Sequence, residues 1–96
     1  MSISKGDVVV SLAGRDKGKL FFVLNTDGQF AILADGKVRK LEKPKRKKLR
    51  HIQIATRKEC HLAEKIRQGS TILDSELRRE LAILRQDISV PTKEEG

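Results

Sequence analysis

The sequence predicts a mainly β fold: a small five-stranded antiparallel barrel followed by a C-terminal α-helical hairpin. Three observations predict it. Period-two alternation and short β-branched runs, punctuated by Gly, Asn and Asp turns, fill the first half of the chain. Beyond Thr56 the apolar spacing changes to the three- and four-residue recurrence of amphipathic helices. A chain of 96 residues buries only about 60 to 65% of its unfolded surface, and closing a short-stranded sheet on itself removes the edges that an open one exposes. The expected organisation is a barrel over 1–55, a two-helix appendage over 56–88 and a flexible tail over 89–96.

Asp7 to Ala13 is the first predicted strand, with Val8, Val10 and Leu12 on one side and Val9, Ser11 and Ala13 on the other. The turn Gly14-Arg15-Asp16-Lys17-Gly18 follows, charged in its middle and bracketed by glycines that accept positive φ. Lys19 to Asn25 is a second strand, closed by Asn25-Thr26-Asp27-Gly28, whose Asp-Gly step favours a hairpin. Gln29 to Ala34 is a third. Asp35-Gly36 turns the chain into a fourth, Lys37 to Leu41, with Val38 and Leu41 inward and Arg39 and Lys40 exposed. A loop containing Pro44 leads to a fifth around Leu49 to Ile54. No helix interrupts these strands and their turns are short, which favours an SH3-like barrel over the longer OB-fold. Thr56 and Glu59 form a capping box for a helix from about Arg57 to Gln68, stopped at Gly69, with Cys60, Leu62, Ala63 and Ile66 on its buried stripe. Asp74 caps a second helix in which Leu77, Leu81 and Leu84 recur at helical spacing. Val90 to Gly96, polar and containing Pro91, reads as a frayed end.

The chain holds 21 Lys plus Arg against 13 Asp plus Glu, a net charge of +8, and the excess is uneven. Up to Arg67 there are 17 basic and 7 acidic residues; from Gln68 onward there are 4 and 6. A cationic surface therefore belongs to the first two thirds. Cys60 is the only cysteine, so no intrachain disulfide forms, which fits a cytosolic, reducing compartment. No apolar run is long enough to span a bilayer, and Met1 to Lys5 carries no signal-peptide hydrophobic region, so neither a membrane nor export is expected. His51, Cys60 and His61 lack a fourth ligand for a metal site. No nucleophile stands with its base, and no Gly-x-x-x-x-Gly-Lys-Ser/Thr loop occurs. The expectation is a non-enzymatic protein without cofactor, metal or small-molecule substrate.

The strongest functional signal is the run Lys43 to His51, in which Lys43, Lys45, Arg46, Lys47, Lys48 and Arg50 precede His51. Closely spaced cations gain affinity for a polyanion by releasing its condensed counterions, which points to nucleic acid. The run continues back onto Lys37, Arg39 and Lys40 with Glu42 the only acid between, and Arg15, Lys17 and Lys19 form a second cluster. The bland alternative is a solvated face that keeps the chain soluble. Phe21, Phe22 and Phe30 are the only aromatic residues. Readers of single strands stack bases on exposed aromatics, each worth about 1 to 3 kcal/mol, whereas shape recognition of folded RNA needs mainly Arg and Lys. The composition suits the second mode.

Gly6-Asp7-Val8-Val9-Val10 followed by Ala13-Gly14-Arg15-Asp16-Lys17-Gly18-Lys19 resembles the KOW motif of ribosomal and transcription-elongation proteins. With the intervening hairpin and the basic run through Leu49-Arg50-His51-Ile52, the chain resembles the KOW ribosomal family typified by archaeal and eukaryotic large-subunit protein fourteen, and it is similar to that family's short bacterial relatives. The barrel match covers about half the chain, and the acidic helical hairpin departs from the generic KOW unit. The resemblance implies an SH3-like barrel that contacts folded ribosomal RNA, with Gly14 and Gly18 as the turn glycines and Arg15, Lys17 and Lys19 on phosphates. It also implies association with the ribosome or its assembly, where ribosomal proteins would be neighbours. The competing reading is a protein-interaction module for transcription or translation factors, with nucleic-acid binding as an accessory. A groove for Pro-rich peptides is disfavoured, because the chain has no Tyr or Trp to line it.

Overall fold

Five strands precede two helices: β1 (Val8–Ser11), β2 (Leu20–Asp27), β3 (Phe30–Ala34), β4 (Lys45–Lys48), β5 (Ile52–Thr56), α1 (His61–Arg67) and α2 (Asp74–Asp87). A single 3-10 turn, Leu49–His51, joins β4 to β5. This computed structural model describes residues 2–56 and 59–87; the expected tail over 89–96 lies outside the described residues. All ladders are antiparallel, in the order β4-β3-β2-β1-β5.

Both faces of this sheet are covered, which is why consecutive Phe21 and Phe22 are both fully buried. On one face Val8, Leu20, Phe22 and Ala34 pack against Leu62, Ala63 and Ile66 of α1 and Leu77, Leu81 and Leu84 of α2. On the other, Val9, Phe21, Val23, Ala31, Leu33 and Ile52 form a second cluster with Ile3, Leu49 and Ile54. Among the described residues neither α1 nor α2 contributes to that cluster, so the sheet covers it by curling. The curl is measured by Lys47 of β4, whose Nζ donates to the Ala13 carbonyl just after β1 at 2.7 Å. In a flat sheet those strands, with β3 and β2 between them, would stand about 14 Å apart, beyond a lysine's reach.

The ladder nonetheless does not close as the sequence suggests: β4 and β5 are its two edges. The 3-10 turn between them re-aims the chain, so that Ile52 pairs with Ser11 of β1 rather than with β4. Three further expectations change. Lys37 to Leu41 is not a strand, because Asp35 Oδ1 accepts hydrogen bonds from the amides of Lys37, Val38 and Arg39 at 2.8 to 3.0 Å. A side chain has replaced the cross-strand partner there, and Val38, expected inward, is 58% exposed. The fourth strand is instead part of the basic run itself, paired to β3 from Phe30↔Lys48 to Leu33↔Lys45. The expected fifth strand around Leu49 to Ile54 begins only after the 3-10 turn.

Helix α1 starts later than its signal suggests, and α2 starts one residue earlier, at Asp74 itself. Thr56 is the last residue of β5, opposite Val8, and Arg57 and Lys58 lie outside the described residues. The N-cap of α1 is Cys60, whose Sγ accepts from the Ala63 amide at 3.4 Å; burial pushes its thiol pKa up. At α2 the cap is Leu73, whose amide donates to Glu76 Oε1 at 2.9 Å, while its carbonyl accepts from Glu76 and Leu77. Asp74, expected as the cap, accepts from the Leu41 amide at 2.8 Å and so ties the β3–β4 loop to the helix.

Candidate nucleic-acid interface

The turn between β1 and β2 is shaped by its glycines. Gly14 and Gly18 have φ of +79° and +86°, a region that any residue with a Cβ enters only with strain. Within this turn the Lys17 amide donates to Gly14 O, the Lys19 amide to Asp16 O and the Gly18 amide to Ser11 O. The result is a compact loop in which Arg15, Lys17 and Lys19 are exposed and Asp16 is buried.

Alternation along β4 divides the basic run into two sets. Arg46 and Lys48, opposite Ile32 and Phe30, are exposed on one face. Lys45 and Lys47, opposite Leu33 and Ala31, lie on the curled face and cross it to the β1–β2 turn. Lys45 Nζ stands 3.3 Å from Asp16 Oδ2, and Lys47, with only 9% of its surface exposed, donates to Ala13 O. Two of the expected contact residues are thus engaged inside the molecule. Their engagement holds the β1–β2 turn against the curled face of β4, whose opposite face carries the exposed Arg46 and Lys48. Lys43 and Arg50 are exposed at either end of β4, and His51 is half-buried in the 3-10 turn.

Lys37, Arg39 and Lys40 are placed differently. Their loop is docked on the start of α2, where Arg78 donates to Gly36 O at 2.7 Å and Asp74 holds Leu41. Lys37 and Lys40 are exposed, while Arg39 is half-buried with its Nε lacking a hydrogen-bond partner among the described residues. These three cations adjoin the helical layer rather than the β1–β2 turn.

Of the three aromatic rings, Phe21 and Phe22 are core. Phe30 is half-buried, and the Arg46 guanidinium lies 3.7 Å from its centroid, a cation–π contact. Arg46 also stands 3.4 Å from Asp27, in a pair exposed enough to contribute little to stability. Beside Lys48, a cleft of about 270 Å³ is lined by Gly28, Gln29, Leu49 and Arg50. A larger open groove of about 780 Å³, lined by Leu12, Arg50, Ile52 and Ile54 among others, carries no carboxylate, thiol or imidazole.

Asp16 is the functional candidate that the run of cations obscured. A signal for it exists in the sequence: an acid at the centre of Arg15-Asp16-Lys17 is anomalous within a cationic cluster, and such a residue reads as an internal anchor. No protein-family model matches the chain, and no curated protein matches it either. Among the described residues no helix is long and apolar enough to cross a membrane.

Proposed function

We propose that this chain is a non-enzymatic RNA-binding protein of the cytoplasm that holds folded ribosomal RNA through phosphate and shape contacts, in association with the ribosome or its assembly. The observation that carries the reading is the latching of one cationic element to another. The β1–β2 turn with Arg15, Lys17 and Lys19 is held against a strand that presents Arg46 and Lys48 and is flanked by Lys43 and Arg50. Cationic elements gathered around one strand in this way suit a phosphate backbone. The placement of the rings adds support, since two are core and the third is covered by Arg46, which suits backbone contacts better than base stacking. The curled sheet, with its 3-10 turn before the last strand, supports an SH3-like barrel of the KOW kind as the framework, with Gly18 in the motif's turn.

The test is the salt dependence of affinity for ribosomal RNA. With about six phosphate contacts, log affinity should fall against log salt with a slope of roughly −4 to −6; a flat response would sink the reading. Changing Lys43, Arg46, Lys48 and Arg50 together to Gln should abolish co-sedimentation with ribosomes. Association that survives this change would favour protein docking instead.

A further inference from the structure

We infer that Asp16 is a positioning residue of this surface: buried under the β1–β2 turn, it ties Arg15 and Lys17 to β4 so that turn and strand engage one RNA backbone as a unit. The inference rests on the RNA-binding reading above. A carboxylate within a basic surface repels phosphates, so on charge alone its removal should strengthen binding. The geometry points the other way. Asp16 is 5% exposed, whereas Arg15 and Lys17 on either side of it are exposed. Its carboxylate meets Lys45 at 3.3 Å, and its carbonyl accepts the Lys19 amide at 2.8 Å. Turn and strand are not neighbours in the sheet: β4 pairs with β3 alone, and β2 and β3 separate it from β1. The Asp16–Lys45 pair and the Lys47 bond to Ala13 O therefore set the distance between the two cationic elements. With that distance preset, the entropy of ordering the turn is not lost again when RNA binds.

The experiment uses the full chain and a hairpin RNA with a continuous duplex stem, titrated over a range of salt. Asp16→Asn and Glu42→Gln each raise the net charge by one, and Glu42 is exposed beside the basic run. The expected result for Glu42→Gln is unchanged or slightly tighter binding. For Asp16→Asn it is about threefold to tenfold weaker binding, a salt slope shallower by about 1 and faster hydrogen exchange at the Lys19 amide. Asp16→Asn binding at parental strength or tighter overturns the positioning role. If Asp16→Asn does not fold, Lys45→Gln is compared with Lys43→Gln, which loses the same charge: the latch requires the greater loss at Lys45, and equal losses overturn it. Salt-insensitive binding by the parent protein removes the RNA reading itself, an outcome separate from either variant's behaviour.

Discussion

Lys47 and Lys48 adjoin in sequence and serve different ends. The Lys47 ammonium is 2.7 Å from Ala13 O on the curled face, and Lys48 is exposed on the other. Changing Lys47 to Met leaves the Ala13 carbonyl without this donor, and urea unfolding should show a loss of about 1 to 3 kcal/mol. Lys48→Met should leave stability within about 0.5 kcal/mol while weakening RNA binding. Equal stability loss at the two positions would contradict the assignment. In the sequence the run reads as uniformly basic, and its cationic character was legible there. Which ammonium groups stay exposed was not, because that depends on the strand's bounds and on which face curls inward.

At the scale of elements, the docking of α2 on the β3–β4 loop explains why Lys37 to Leu41 does not extend the sheet. Gly36 has φ of +77°, and a Cβ there would collide with the Asp74 carbonyl. Gly36→Ala should therefore cost on the order of 3 kcal/mol from backbone strain and displacement of α2 together, measured by denaturant unfolding. The start of α2 also carries a pH dependence. The Lys65 ammonium, 2.8 Å away on α1, and then the Leu73 amide hold the Glu76 carboxyl below the usual glutamate range. A depressed folded-state pKa stabilises fully above the ordinary glutamate value, and its contribution is lost as pH falls through the depressed one. Acidification into that window should fray the first turn of α2, seen as faster hydrogen exchange there, and Glu76→Gln should remove the pH dependence. The stripe Leu77, Leu81 and Leu84 was legible from periodicity alone. The cap was not, since Asp74 carries the better capping side chain but is drawn to Leu41.

For the whole molecule, the helices act as the outer wall of the core cluster that holds Val8 and Phe22. Leu81→Ala should then cost about 2 to 4 kcal/mol, with strand and helix amides losing protection in one transition. Helix loss ahead of the sheet would show instead that the pair is an appendage. The proposed RNA affinity of the folded variant should not change, because Leu81 is 1% exposed inside the core cluster and contributes nothing to the cationic surface. By itself the sequence determined a mainly β chain with two amphipathic helices, a glycine-bracketed charged turn and a cationic first two thirds, because alternation, turn chemistry and charge are local properties. Only the tertiary structure decided that the sheet curls without closing its ladder, that β4 is made of the basic run, and that Asp16 and Lys45 latch turn to strand. Those outcomes depend on contacts between residues distant in sequence, from the β3–β4 pairing to the Asp16–Lys45 and Ala13–Lys47 latches, which no local pattern of side chains encodes.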